Sequence, residues 1–386
     1  MKLKSAIVGT GFMGWVHLEG LRRIGVEVVG ALGSSPEKSK AWASENGVPQ
    51  AYQDYESVLQ DPSVDVVHIL TPNKTHFAMA RDAIRTGKHV LCEKPLAMNS
   101  SQSAELVQLA AQHPGVVTAV NYNIRFYPLC IEAKHRVGSG QMGDVFHVHG
   151  SYTQDWLLHD TDYNWRLDAR EGGELRAVAD IGTHWLDLIS FVTAKKVKAV
   201  CADLSIVHPV RKKPSGERQT FNRKDDSTAQ TQPFNVTTED SANILLKFDD
   251  NTRGSLVVSQ VSAGRKNCLQ FEIAGSKQAL AWNSERPNEL WVGHREQANE
   301  ILTRDPALLS DSANSATSYP GGHNEGYDDS FKHSFQAFYQ YIDAGDHQAP
   351  ASFASFEDGH HEILVCEAIL KSHRQQRWID IEETNA

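Results

Sequence analysis

The feature that most constrains this chain is the loop Gly9-Thr10-Gly11-Phe12-Met13-Gly14, which follows an apolar run at residues 5–8 and opens a helical pattern over 14–24. GxGxxG alone is a weak signal, because glycine is common and the pattern sets few constraints. Placed between a strand and a helix, its glycines have separate uses: a tight turn, close approach of a pyrophosphate to the backbone, and packing of helix on strand. The helix N-terminus then faces the phosphates. The chain is therefore expected to begin as a dinucleotide-binding βαβ unit, with Gly9, Gly11, Phe12, Met13 and Gly14 at the cofactor.

The next hundred residues extend the same alternation. Short apolar runs at 26–32, 65–70, 89–92 and 116–120 read as strands. Helical patterns lie between them, at 36–46 (proline at its start, Gly47 after its end) and around 76–86 and 101–111. This predicts an α/β Rossmann domain over 1–122, with the boundary near 121–125.

The remainder, 123–386, reads differently. After a helix around 129–137, twofold alternation appears at 145–153, 242–248 and 253–261, with shorter strands at 268–273, 280–283 and 289–294. An α+β domain with one large open antiparallel sheet is expected, with 328–344 and 357–374 as amphipathic helices and 378–381 as a last strand. Apolar residues on the sheet's second face favour a homodimer or homotetramer formed through it. Residues 211–235 are polar and read as a mobile connection.

At 386 residues two domains are expected, leaving a cleft for a substrate. The net charge of -10 argues against nucleic acid or an anionic membrane as partner. No run approaches the ~18 apolar residues that cross a bilayer. The start lacks a signal peptide's apolar region, which points to the cytoplasm. Five scattered cysteines without a CxxC pair suggest neither a disulfide framework nor zinc, and the histidines, including His147, His149, His360 and His361, have no ligand constellation. No metal is expected.

NAD-specific sites carry an acidic residue about 20 residues past the glycine loop, on the ribose hydroxyls. Here that stretch is Gly33-Ser34-Ser35-Pro36. Ser34 and Ser35 leave room for a 2′-phosphate, with Lys38 or Lys40 as charge partner; equally, they cap the helix at Pro36 while NAD binds through other contacts. Both NAD and NADP remain open.

Further along come Thr71-Pro72-Asn73-Lys74-Thr75-His76, Cys92-Glu93-Lys94-Pro95-Leu96, Asn121-Tyr122-Asn123-Ile124-Arg125-Phe126, Trp165-Arg166 and Asp180-Ile181-Gly182-Thr183-His184. With the glycine loop, these resemble the glucose-fructose oxidoreductase / inositol dehydrogenase / rhizopine catabolism (Gfo/Idh/MocA) family of NAD(P)-dependent sugar and cyclitol dehydrogenases. The resemblance implies Lys94 as the active-site lysine, with Asp180 and His184 as the other catalytic groups. It also implies Thr71, Asn73, His76, Glu93, Asn121 and Arg166 around the cofactor, Glu93 on the nicotinamide ribose, and a cis bond before Pro95. Tyr122, Arg125, Trp156 and Trp165 are candidates to line the substrate site, as is His323 in Gly321-Gly322-His323-Asn324-Glu325-Gly326.

Chemistry agrees with these assignments. Removing hydride from a carbinol carbon also requires the hydroxyl proton to leave, and an imidazole suits that task at neutral pH. Asp180 and His184 are spaced i, i+4 on a helix whose Ile181, Trp185, Leu188, Ile189 and Val192 form an apolar stripe, with Asp187 on the polar side as a possible orienter of His184. Either His184 or Lys94 takes the proton. The expected reaction is oxidation of a ring hydroxyl of a sugar, sugar derivative or cyclitol to a ketone. Alternatives are oxidation at the anomeric carbon, a glycosidase using transient oxidation by bound NAD, and a catalytically silent regulator.

Overall fold

A computed structural model of the chain describes residues 3–215, 230–347 and 349–382. They divide into two compact units, one reaching to residue 123 and including 328–363, the other covering 124–327 and 364 onward. A single boundary drawn from the sequence leaves 328–363 with the second part. The structure groups it with the first because helix Tyr327–Ala344 turns Phe331, Phe335 and Tyr339 onto His17 and His68, burying all five side chains together.

The first unit is built on six parallel strands: β1 (Lys4–Val8), β2 (Glu27–Leu32), β3 (Gln50–Ala51), β4 (Val66–Ile69), β5 (His89–Cys92) and β6 (Thr118–Val120). Their order is β3-β2-β1-β4-β5-β6. β4 and all of β1 beyond Lys4 are buried, which requires apolar residues on both faces of a sheet covered by helices. The order reverses between β1 and β4, the place where doubly wound sheets bind ligands. Helix Phe12–Arg23 starts there, two residues earlier than the sequence pattern suggests. Helix Pro36–Asn46 has the expected bounds, with Ser35 Oγ accepting from the Lys38 amide at 3.3 Å and Gly47 closing it in a left-handed conformation.

The second unit carries a nine-stranded sheet. Its members are β7 (Val145–Thr153), β8 (Val197–Ser205), β11 (Ser241–Phe248), β12 (Arg253–Ser259), β13 (Cys268–Gly275), β14 (Ala279–Asn283), β15 (Glu289–Gly293), β16 (Glu300–Thr303) and β17 (Ile379–Asp380), while β9 (Val210–Pro214) and β10 (Thr231–Asn235) form a separate ribbon. The order is β16-β15-β14-β13-β7-β12-β11-β8-β17. All pairs are antiparallel except β7 with β12, so the expected antiparallel sheet is mixed at its centre. One face packs on helices Pro128–Gly138 and Thr183–Thr193, whose Leu129, Cys130, Trp185, Leu188, Ile189 and Val192 join Val148, Leu256 and Phe271 in one core. The stripe read from the sequence is buried, and so are His184 and Asp187 on the side read as polar.

Residues 211–235 were expected to be a mobile connection. Their two ends instead pair as an antiparallel ribbon with Arg211 opposite Phe234. Arg211 is fully buried, since its guanidinium reaches Asp240 at 2.6 Å and the His159 carbonyl at 2.8 Å. The middle of that segment, 216–229, lies outside the described residues.

Candidate active site

In the first unit, the glycine loop is shaped by contacts that the sequence pattern only implies. Gly9 has φ +116°, and a Cβ there would lie 2.6 Å from the carbonyl of Leu70, where the chain leaves β4. A Cβ on Gly14 would meet the Gly9 oxygen at 2.4 Å. Around Gly11 there is nothing within 4 Å of such an atom. Two glycines are thus demanded by the protein itself, while the third stands before open space at a helix N-terminus. That is the cradle an anionic pyrophosphate needs, and the residues present fit the dinucleotide.

A side chain at position 33 would be crowded. A Cβ there would sit 2.9 Å from the Thr10 hydroxyl and 3.0 Å from the Ser39 amide nitrogen. Of the two serines beyond it, Ser34 is exposed and Ser35 caps its helix.

Behind the loop lies a buried polar chain. Glu93 is 7% exposed; its Oε1 accepts from Asn121 Nδ2 at 2.6 Å and lies 3.3 Å from His17 Nε2. His17 Nδ1 meets His68 Nδ1 at 2.8 Å, and His68 Nε2 meets the Tyr339 hydroxyl at 2.9 Å. The proton positions follow from the partners. Burial lowers the pKa of both histidines, so each is neutral with one N–H. An ionised Glu93 takes the His17 Nε2 proton, so His68 Nδ1 donates to His17 Nδ1 and Tyr339 donates to His68. Burial alone would raise the Glu93 carboxyl, but the hydrogen bond from His17, together with Lys94 and Asn121, brings it down to about 2. The Asn121 Oδ1 is buried and has no hydrogen-bond partner among the described residues, an acceptor left over beside the Glu93 carboxylate.

Lys94 follows Glu93 directly, half-buried, and the Lys94–Pro95 bond is cis. Thr71 is half-buried and receives the Thr75 hydroxyl at 2.6 Å; Asn73 and Tyr122 are buried. His76 was expected at the cofactor. Its nitrogens instead lie 2.7 Å from the Pro95 carbonyl and 2.8 Å from that of Thr71, and the ring is 1% exposed, so it braces the two loops. Burial lowers its pKa against the pull of both carbonyls, and a neutral ring serves one of them at a time. Phe12 and Met13 open the helix, Phe12 at 42% exposed and Met13 half-buried.

In the second unit, Asp180 sits in a π-helical turn, Val178–Gly182, that runs directly into helix Thr183–Thr193 and His184. Such turns are frequent at functional sites because they turn side chains out of helical register. Arg166 Nε lies 3.0 Å from Asp180 Oδ1, and Gln260 Nε2 donates to Oδ2 at 2.9 Å. The Arg166 guanidinium stacks 4.5 Å from the centre of the Trp165 ring. Arg166, expected near the cofactor, is engaged with Asp180. His184 is buried, with the Tyr152 ring edge-on at 6.2 Å. Tyr152 and Gln154 both donate to Asn267 Oδ1, at 2.7 and 2.8 Å, and Trp156 Nε1 donates to Gln154 Oε1 at 2.7 Å.

Two sequence expectations change here. Arg125 was a candidate for the substrate, but its Nε and Nη2 hold Asp187 Oδ2 and Oδ1 at 2.8 and 2.5 Å in a buried bidentate pair. Asp187 is accordingly the partner of Arg125. His323 is exposed, on a loop whose Tyr319, Pro320 and His323 carbonyls all bind buried Arg304. His17, His68, Tyr339, Tyr152, Gln154, Arg176, Gln260 and Asn267 escaped the sequence reading. Only His68 left a signal, as a polar residue inside the apolar run Val66-Val67-His68-Ile69. Among the described residues, no three His, Cys, Asp or Glu side chains are grouped to hold a metal, and no helix is long and apolar enough to cross a membrane.

The parallel sheet with its glycine cradle at the β1–β4 switch defines the class, an NAD-binding oxidoreductase. Residues 3–122 match the model of the oxidoreductase family with NAD-binding Rossmann fold, and residues 130–281 that of the GFO/IDH/MocA C-terminal domain. The chain belongs to the GFO/IDH/MocA family. It is similar to levoglucosan dehydrogenase of Pseudarthrobacter phenanthrenivorans, 27% identical over 100% of this chain and 99% of the relative. A levoglucosan dehydrogenase structure in complex with NADH and levoglucosan superposes with TM-score 0.87 at 26% identity, covering 99% of this chain and 100% of that one. An oxidoreductase domain protein from Kribbella flavida gives 0.88 at 28% identity, over 99% of this chain and 100% of its own.

Proposed function

We propose that the protein oxidises a ring hydroxyl of a sugar, sugar derivative or cyclitol to a ketone, passing hydride to NAD. The observation that carries this reading is the pairing of a fixed, accepting carboxylate, Asp180, with the buried imidazole of His184 on the helix it leads into. A carboxylate receiving Arg166 and Gln260 donors is held ionised and in one orientation. His184 accepts the hydroxyl proton as the carbinol carbon loses its hydride, and Asp180 orients the sugar through a neighbouring hydroxyl. Lys94 donates a hydrogen bond to the reacting oxygen, steadying the alkoxide character that develops as the proton leaves. Bound at the Gly11 cradle, NAD supplies the hydride acceptor, and Glu93 with Asn121 offers acceptors to its ribose hydroxyls. The likeness to levoglucosan dehydrogenase over the full chain supports a carbohydrate substrate.

Phe146, Leu245, Val257 and Ile301 lie exposed on the outer face of the nine-stranded sheet, and a second copy of the chain is the proposed cover for them. Light scattering at micromolar concentration reads this directly.

The test is a panel of sugars, anhydrosugars and inositols assayed at 340 nm with NAD+ and NADP+, with Lys94→Ala and His184→Ala beside the wild type. NADH formation with a ketone product, lost in both variants while NAD+ still binds, is the expected result. A lactone product would move the reaction to the anomeric carbon. Glycoside cleavage without net NADH would replace oxidation by the transient mechanism, and wild-type turnover in Lys94→Ala would remove that residue from the chemistry.

A further inference from the structure

We propose that Gln260 is a positioning residue for Asp180, its amide held by buried Arg176 so that Nε2 always presents a donor to the carboxylate. This rests on the role given to Asp180 above.

A glutamine amide can turn over and exchange its donor for its acceptor, so its orientation has to come from its neighbours. Here they leave one choice. Arg176 Nη1 lies 2.9 Å from Gln260 Oε1, and a guanidinium offers only donors. Turned over, the amide would set N–H against N–H at Arg176 and oxygen against oxygen at Asp180 Oδ2, now 2.9 Å from Nε2. Gln260 is fully buried, so no water competes for either end.

Arg176 is itself immobile. Its side chain is fully buried, its Nη2 pairs with Asp240 Oδ1, and its Nε donates to Thr238 Oγ1 at 3.3 Å. Its backbone N–H and that of Val178 donate to Glu239 at 3.0 and 2.8 Å, and the Asp180 N–H returns to the Arg176 carbonyl at 2.7 Å. The turn that carries Asp180 is thus fastened to Glu239, Asp240 and Gln260. The strand register brings these anchors together, because Ser241 of β11 pairs with Ser259 of β12. Asp240 and Gln260 are the next residues outward, and the Gln260 N–H bonds the Asp240 carbonyl at 3.0 Å. A hairpin of the large sheet therefore sets the angle at which Asp180 is presented.

Among the charged and titratable groups around the carboxylate are Arg166 on its Oδ1, His184 four residues further along the same helix, and Tyr152, whose hydroxyl ionisation Asp180 opposes. Beyond Gln260 stand Arg176, Glu239 and Asp240, with Arg211 on the far side of Asp240. Gln260 is a neutral donor in direct contact with Asp180 Oδ2. Its replacement by glutamate keeps the shape and changes only the sign of the interaction. Two facing carboxylates resist ionising together, so Gln260→Glu and Asp180 would share a proton at low pH and repel when it leaves.

The experiment follows the Asp180 carboxyl by carbon NMR of protein labelled at aspartate Cγ, its resonance assigned by loss in Asp180→Asn. Wild type, Gln260→Leu and Gln260→Glu are compared after thermal unfolding confirms that each is folded. Gln260→Leu is expected to raise the Asp180 titration by about one pH unit through the lost donor, and Gln260→Glu to raise it further as a coupled pair. On whichever panel sugar the wild type oxidises fastest, Gln260→Leu should lose roughly 10- to 100-fold in kcat/KM at every pH. Gln260→Glu should approach wild type at low pH and fall as pH rises, a profile that mere loosening of the fold would not give. An Asp180 titration identical in all three proteins would overturn the inference. Full turnover in Asp180→Asn would instead overturn the role of Asp180, whatever the titrations.

Discussion

The glycine loop contains a built-in comparison, since Gly11→Ala and Gly14→Ala add the same methyl group to two positions with opposite surroundings. At Gly14 the new carbon would lie 2.4 Å from the Gly9 oxygen, a backbone atom rather than the end of a flexible side chain that could yield. Overpacking of this kind costs about 1–3 kcal/mol, which for a domain of this size lowers Tm by roughly 2–12 °C. At Gly11 the methyl meets nothing within 4 Å, and the backbone at φ −78° and ψ −162° suits alanine. The weaker helix cap, a few tenths to ~1 kcal/mol, is offset by ~0.4–1 kcal/mol of entropy lost from the unfolded chain, so Tm should barely move. Its cost falls on the ligand. A methyl in the space left for the pyrophosphate should weaken NAD+ by at least about tenfold, or ~1.4 kcal/mol. Calorimetric titration with NAD+ and thermal unfolding of the free proteins separate the two effects. Wild-type NAD+ affinity in Gly11→Ala would refute the cradle, and a Tm loss there equal to that of Gly14→Ala would mean the space belongs to the protein.

Replacing His68 by leucine strips the His17 nitrogen and the Tyr339 hydroxyl of their buried partner, and at about 1–3 kcal/mol for each orphaned group should cost ~2–6 kcal/mol in urea unfolding; a loss below ~1 kcal/mol would mean the chain of bonds is not formed. Asp240→Asn leaves Arg176 and Arg211 buried without their shared counter-charge and should cost about 3–5 kcal/mol by the same measurement, with a near-neutral result showing that another acceptor serves them. The Glu93 carboxyl titrates lower in the folded protein, at about 2, than at its ordinary 4.5, so its contribution is complete above about pH 4.5 and disappears as pH falls from there toward 2. That contribution is about 3 kcal/mol, and Glu93→Gln should flatten the fall in stability over this window; equal slopes in the two proteins would show that Glu93 is not held ionised.

What the sequence disclosed and what it withheld divide along the range of the interactions. The parallel sheet, helix Pro36–Asn46 and the Ser35 cap are settled by residues within a turn or a strand of one another, and local pattern finds them. The ribbon of β9 and β10 was missed because its residues look like loop, while what orders it is Arg211 reaching Asp240, 29 residues on. The parallel pairing of β7 with β12 depends on a crossover over residues 154–252 that no short window sees. The same rule holds at the candidate site. Asp180, His184 and Lys94 lie in short motifs and could be named; the groups that hold Asp180 and Glu93 could not, because Gln260 stands 80 residues from Asp180 and His17 stands 76 from Glu93. Such partners are chosen by the register of a hairpin or the packing of a helix, so a polar residue in an apolar strand, as at His68, is the one trace they leave. A motif therefore fixes which atoms are offered to a substrate, but their angle and charge are set by residues whose meaning exists only after folding. That is why Gln260 and His68, rather than further variants of Lys94, are the substitutions that discriminate between a site that is merely present and one that is held.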